Sequence, residues 1–273
     1  DELELLSRPP ETPTPDSAVF ALRDFKEQLA QRQIALILLP VPLKAEMEAS
    51  HWADPKPDGA YVPEFSRAVL RRCAEAAPIV DLTLGMPSGP RYCRTDSHWS
   101  PALVELAARE CAAAIRALDW YPAMSRTSFP AATEEIDIGG DLIKAAGNEA
   151  PPERLAVRRV GGEPVQENAP ILLIGDSHTL IFSTGEDMLC SGAGLAEQLA
   201  CETGLPVARL GSRGSEGTAV WQQVVRKELR TPGWLNTKKV VIWCFSVREM
   251  ARGQEVWRTI PITETTNHRL ESQ

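Results

Sequence analysis

The chain has 273 residues, a formal net charge of −8 and an apolar fraction of 43%. The acidic balance argues against a dominant role on nucleic acid, whose phosphates call for a basic surface. The apolar share supplies an ordinary globular core, and no run approaches the ~18 consecutive apolar residues of a membrane-spanning helix.

The chain begins Asp1-Glu2-Leu3 without a methionine, which is compatible with a removed signal peptide. Residues 1–16 are acidic and hold Pro9, Pro10, Pro13 and Pro15, so they read as an extended lead-in. From Ser17 onward, Val19, Leu22, Phe25 and Leu29 recur at helical steps. Residues 34–39 (IALILL), closed by Pro40, read as a strand buried on both faces. Residues 44–62 read as a polar loop, with Pro55, Pro57 and Gly59 opposing regular structure. His51 in that loop and His268 near the end read as solvated.

Residues 65–77 read as a helix and 79–82 (IVDL) as a second short strand. An alanine-rich amphipathic helix is expected over 101–118, with Ser100 as its N-cap and Pro101 at its first position. Residues 119–169 carry the least pattern, although they include Ile136-Asp137-Ile138-Gly139-Gly140-Asp141-Leu142 and a charged segment around Arg154 to Arg159. Strands follow at 171–174 (ILLI), 207–210 (VARL) and 238–245 (KKVVIWCF). Helices are expected at 195–203, ending at Gly204, and at 219–229.

Short apolar strands alternating with helices predict parallel pairing with both sheet faces covered. With right-handed crossovers the fold class is α/β, a three-layer α/β/α sandwich on a mostly parallel sheet. No sharp boundary divides residues 17–273, which read as one domain.

None of the six cysteines stands at a zinc-ligand spacing. Cys73, Cys111 and Cys244 fall in helical or strand patterns, where a thiol acts as a small hydrophobe. Cys190 and Cys201 flank a loop-to-helix segment, and the sequence leaves open whether they pair.

The tripeptide Asp-Ser-His occurs twice, as Asp96-Ser97-His98 and as Asp176-Ser177-His178. The second copy follows a strand and Gly175, so Ser177 stands at a strand-to-helix turn, where backbone N–H groups favour a developing negative charge. A serine hydroxyl needs a base within hydrogen-bond reach, and His98 is the candidate, with Asp96 two residues earlier to orient it. Three other readings stay open at this point. Ser177 can be a helix cap, His98 and Trp99 can be a packed loop pair, and Asp96, His98, Asp176 and His178 can be a metal set. A single Ser-His-Asp site reads better than a metal centre, so no metal is expected.

The segment Asp96-Ser97-His98-Trp99-Ser100-Pro101 before an alanine-rich helix resembles the Asp-x-His-Trp segment of the SGNH-like alginate O-acetyltransferase family. The order agrees too, with Asp96 and His98 preceding Gly175-Asp176-Ser177; ordinary SGNH hydrolases have the reverse order. Gly211-Ser212-Arg213-Gly214 and the last strand with Ser246-Val247-Arg248-Glu249-Met250 fit the same pattern. The resemblance covers about residues 17–250. It implies an SGNH-hydrolase-like fold with permuted motif order, with Ser177 as nucleophile, His98 as base and Asp96 as its orienting acid. The Ser177 N–H would be one oxyanion donor, with Gly214 or Arg213 as further candidates; no equivalent of the asparagine that many SGNH enzymes add is evident.

The implied reaction carries an acetyl group through a serine acyl-enzyme onto a polysaccharide hydroxyl. An acetylesterase with the same residues is the runner-up. A non-catalytic assembly subunit of a polysaccharide export machine is a further alternative. No cofactor is implied, because the acetyl donor is itself a substrate or is carried by a partner, for which a membrane-bound protein is one option. The implied location is the periplasm or cell envelope, without a membrane span and without nucleic acid as partner.

Overall fold

Successive residues of each main strand are shared out between two separate cores. Leu36 and Leu38 join one cluster and Ile37, Leu39 and Val41 the other; Leu172 and Ile174 oppose Ile171 and Leu173; Val241, Trp243 and Phe245 oppose Val240, Ile242 and Cys244. This is the period-two alternation of a strand with both faces buried, and it explains why these segments read as continuous apolar runs.

The computed structural model describes residues 2–10, 14–49, 63–85, 87, 89–145, 147, 151–214, 217–251 and 256–262. In chain order the elements are α1 (Glu2–Ser7), α2 (Asp16–Ala30), β1 (Ala35–Val41), α3 (Lys44–Met47), α4 (Glu64–Ala74), α5 (Pro101–Arg116), β2 (Ala131–Ile138), α6 (Asp141–Ala145), β3 (Glu153–Val160), β4 (Ile171–Gly175), α7 (Leu195–Thr203), β5 (Val207–Gly211), α8 (Ala219–Arg230) and β6 (Val240–Ser246). The main sheet has the order β1-β6-β4-β5, and all three pairings are parallel.

Helices α5 and α7 pack on one face together with β3, whereas α2, α4 and α8 cover the other. The result is the expected three-layer α/β/α arrangement. Phe25 of α2 anchors the second layer, its ring 4.7 Å from Trp221 of α8 and 5.4 Å from Trp243 of β6. Truncating so buried an aromatic costs about 3–5 kcal/mol.

Several expectations need correction. Residues 2–7 form a helix rather than an extended lead-in, because Leu5 and Leu6 pack against the core and Glu2 accepts the Ala45 N–H at 2.9 Å. The loop expected at 44–62 starts with the single helical turn α3; His51 and the prolines of that stretch lie outside the described residues, as does His268. The strand expected at 79–82 reduces to one bridge, between Ile79 and Leu38.

The largest departure is in residues 119–169. There β2 and β3 make an antiparallel ribbon; Arg154 pairs with Asp137 on its exposed face, and Arg159 pairs with Glu134 near the end of the other face. That other face sends Leu155 and Val157 into the core, and Val160 joins them from the end of β3. The six cysteines are unpaired, and Cys73, Cys111 and Cys244 are buried as expected of small hydrophobes.

Candidate active site

The second Asp-Ser-His lies at the carboxyl end of β4, where open parallel sheets gather their ligands. Gly175 is required there by close approach, since a Cβ on it would stand 1.8 Å from the Cys244 carbonyl of β6. Asp176 then caps a single 3₁₀ turn, Ser177–Thr179. Its Oδ1 accepts the His178 N–H at 2.8 Å, and its Oδ2 accepts the Ser246 N–H at 2.8 Å from the end of β6. The capping job that Ser177 was a candidate for thus falls to Asp176, and Ser177 Oγ is left for other work. The Ser177 N–H makes no hydrogen bond among the described residues.

The first copy lies on a loop pinned from four directions. Its base is a narrow hairpin: Cys93 donates its N–H to the His98 carbonyl at 3.2 Å, and Ser100 donates to Arg91 at 2.9 Å. Lys44 of α3 donates to the carbonyls of Cys93 and Asp96, both at 2.7 Å. Glu153, at the start of β3, accepts the N–H groups of Arg94 and Thr95 at 2.9 and 2.8 Å and the Thr95 hydroxyl at 2.9 Å. Asp141, at the start of α6, donates its N–H to Asp96 Oδ2 at 3.1 Å and accepts both the N–H and the hydroxyl of Ser97. Gly140 makes this approach possible, because a Cβ on it would sit 2.2 Å from the Thr95 carbonyl oxygen. Behind the loop, Ser100 accepts the Leu103 N–H and caps α5 as expected.

These two pieces, 79 residues apart in sequence, meet with His98 Nε2 2.7 Å from Ser177 Oγ. On the other side of the ring, His98 Nδ1 lies 2.6 Å from Asp96 Oδ1, which also accepts the His98 backbone N–H at 2.9 Å. A carboxylate can only accept, so Nδ1 carries the proton and Nε2 offers its lone pair to the serine hydroxyl. Burial pushes the Asp96 carboxyl up, but the donors from His98 and Asp141 outweigh it and hold it below its ordinary value. Chemically this is a hydroxyl, a base that can take its proton, and an anion able to stabilise the imidazolium that results.

The other anticipated site residues follow β5, where their neighbour Ser212 donates its N–H to the Gly175 carbonyl at 3.0 Å. Arg213 is half-exposed and pairs with Asp187 through both guanidinium nitrogens, and Gly214 faces open space at φ +58°. Neither makes a hydrogen bond to Ser177 among the described residues. The metal set considered from sequence does not assemble as a foursome. The group whose ligand atoms lie within 4.8 Å of one another is Asp96, His98 and Asp141, without Asp176 or His178. All three already serve protein partners, and an ion on His98 Nε2 would have to displace Ser177. Cys190 and Cys201 are not joined; Cys201 Sγ accepts from Arg158 at 3.0 Å.

A cleft of about 510 Å³ opens beside Ser97, lined by Leu3, Lys44, Glu48, Leu142 and Arg248 among others. The residues that sequence reasoning missed are Lys44, Gly140, Asp141 and Glu153, which hold the loop rather than react.

The family model described as the SGNH hydrolase-like domain of acetyltransferase AlgX matches residues 3–247. A curated relative, the "Probable alginate O-acetylase AlgJ" of Pseudomonas aeruginosa, is 26% identical over 126 residues, or 45% of this chain. That match spans only 32% of the relative's own length. Among solved structures, the O-acetyltransferase domain of Pseudomonas putida AlgJ superposes with a TM-score of 0.64 at 20% identity, covering 87% of this chain and 83% of that one. Pseudomonas aeruginosa AlgX gives 0.65 at 16% identity, covering 88% and 58%. Bacillus cereus PatB1 carrying a sulfonyl adduct gives 0.54 at 9% identity, covering 89% and 90%. At these identities the three structures speak for a shared fold.

Proposed function

Because this chain belongs to the family of the SGNH hydrolase-like acetyltransferase domain of AlgX, we propose that it transfers acetyl groups to polysaccharide hydroxyls through Ser177. The observation that carries the reading is the line Asp96–His98–Ser177, with contacts of 2.6 and 2.7 Å. Family membership alone gives the reaction class; the line supplies groups able to perform it.

In the proposed cycle Ser177 Oγ attacks the acetyl carbonyl of the donor while its proton passes to His98 Nε2. The oxyanion of the tetrahedral intermediate takes the Ser177 N–H as donor. Collapse breaks the bond to the donor's leaving atom, which receives the proton from His98, and leaves acetyl-Ser177. A sugar hydroxyl then attacks this ester, giving its proton to His98. The second collapse returns that proton to Ser177 Oγ and releases the acetylated sugar. Asp96 stays ionised throughout and stabilises the imidazolium in both halves. No cofactor enters, since the acetyl group arrives on its donor.

The acceptor is assigned to a polysaccharide of the cell envelope and the location to the periplasm, on the strength of relatives named for alginate acetylation. Among the described residues no helix is long and apolar enough to cross a membrane. A donor carried by a membrane-bound partner is compatible with this arrangement.

The test supplies an activated acetyl ester with and without oligosaccharide. Acetylated sugar, lost in Ser177→Ala, is the expected result. Acetate release that ignores added sugar would replace the transferase by an esterase. Turnover that survives Ser177→Ala would overturn both and favour an assembly role.

A further inference from the structure

The second Asp-Ser-His copy holds its histidine in the same way as the first. Asp176 Oδ1 accepts the His178 N–H at 2.8 Å and the His178 Nδ1 proton at 2.9 Å; for Asp96 and His98 the same two contacts are 2.9 and 2.6 Å. In both, the remaining carboxylate oxygen takes a backbone N–H from another element, Asp141 for Asp96 and Ser246 for Asp176. His178 is only 6% exposed. A histidine buried and tethered like this, immediately after the proposed nucleophile, has no task in the cycle described above.

Its ring lies against His98. The two imidazole centroids are 5.1 Å apart with planes at 62°, and the Trp99 ring lies 5.4 Å from the His178 ring at 88°. We propose that His178, anchored by Asp176, is a positioning residue that braces the His98 imidazole against Ser177. The inference rests on the acyl-transfer reading, since it needs His98 to act as base.

The mechanical argument follows from what holds each ring. His98 is held at its ring nitrogens by Asp96 and Ser177, two point contacts that do not by themselves fix the tilt of the ring plane. Asp176 is bonded where the carboxyl ends of β4 and β6 meet, its Oδ2 accepting the Ser246 N–H. His178 carries that anchorage to the ring of His98. Small misplacements of a reacting group can cost about a hundredfold in rate. The loss on removing the brace should therefore fall on kcat, because the substrate is not what His178 touches.

The experiment measures kcat and KM for acetyl-ester turnover in His178→Ala, His178→Phe and His178→Asn, with wild type and Ser177→Ala alongside. Removing the ring in His178→Ala is expected to lower kcat about tenfold to a hundredfold with KM unchanged. His178→Phe, which keeps a ring but not the anchor, should recover part of the loss. His178→Asn, which keeps a donor but no ring, should not. The proposal is overturned if His178→Ala stays within about twofold of wild type, if the loss appears in KM alone, or if Asn recovers as much as Phe. Should His178→Ala fail to fold, the Phe and Asn variants decide by themselves, equal kcat overturning it. A dead Ser177→Ala beside a fully active His178→Ala removes only the brace; an active Ser177→Ala removes the acyl-transfer reading itself.

Discussion

Asp141 clasps Ser97 at two points, accepting its N–H at 2.7 Å and its hydroxyl at 2.5 Å. Ser97 sits between Asp96 and His98, so this clasp fixes the backbone that carries both. From sequence Ser97 is only a spacer; in the structure it is the handle by which α6 holds the loop.

Asp141→Ala is expected to keep its own N–H on Asp96 but lose both contacts to Ser97. Because Asp141 is exposed, global stability should change little, whereas kcat should fall by about tenfold as the loop loosens. Melting curves and acetyl-ester kinetics measure the two separately. Unchanged kcat in a folded variant would show that the clasp is dispensable.

Gly140→Ala should do more damage than its size suggests. The added methyl would meet the Thr95 carbonyl oxygen at 2.2 Å and Asp96 Cβ at 2.6 Å, and the former is backbone that cannot swing aside. Forcing atoms into so packed a place typically costs about 1–3 kcal/mol. Urea denaturation should show a loss of that order, with kcat reduced as Asp96 is displaced. A variant as stable and active as wild type would mean that the loop accommodates the methyl freely.

Glu153→Gln tests the other tether. Both carboxylate oxygens are in use, one on the Arg94 N–H and the other on the Thr95 N–H and hydroxyl. A glutamine must present its NH₂ where one of these donors points, leaving a buried donor without an acceptor at a cost of about 1–3 kcal/mol. The expected outcome is a lower urea midpoint together with slower turnover; an unaltered midpoint would count against the tether.

How much of this was legible in the sequence follows from how each residue acts. Strands β1, β4 and β6 are buried almost throughout on both faces, so they read as near-continuous apolar runs; β5 is broken by Arg209 and only partly buried. Ser177, His98 and Asp96 stand in short motifs whose chain order carries the information. The ribbon of β2 and β3 carries no clear alternation because β2 is exposed along most of its length and charges stand on both faces: Glu134 and Arg159 share the face of Leu155 and Val157, and Glu135 and Arg154 occupy the other. Lys44, Asp141 and Glu153 were missed for a different reason. Each is a single polar residue bonded mainly to backbone N–H or carbonyl groups of a distant loop, and such a contact leaves no spacing in the sequence. Gly140 left only a trace, the paired glycines of an unassigned turn.

The thiols make a simpler prediction. All six are unpaired, and burial pushes the Cys190 thiol up to about 11, so it is a poor nucleophile at neutral pH. Reducing agent should leave the melting temperature unaltered. Alkylation after denaturation without reductant should label every cysteine; a protein two labels short would reveal a disulfide that the structure lacks.

The pH dependence of stability should carry the signature of Asp176. Burial pushes its carboxyl up, but the charge of His178, the His178 Nδ1 and N–H donors and the Ser246 N–H together outweigh it and hold the group at about 2, against 3.8 ordinarily. In the unfolded chain the same carboxyl titrates near 4, roughly the value for a free aspartate. A group whose folded pKa is depressed contributes stability that is complete above the unfolded pKa and disappears as pH falls through the folded one. For Asp176 the window runs from about pH 4 down to about pH 2, with a contribution on the order of 2 kcal/mol. Asp96 is also depressed and acts in the same direction. Urea unfolding between pH 5 and pH 2 should therefore show wild type losing stability more steeply than Asp176→Asn, even though the variant starts lower. Parallel curves would mean that Asp176 does not gain its donors on folding, and the anchor assigned to His178 would fall with them.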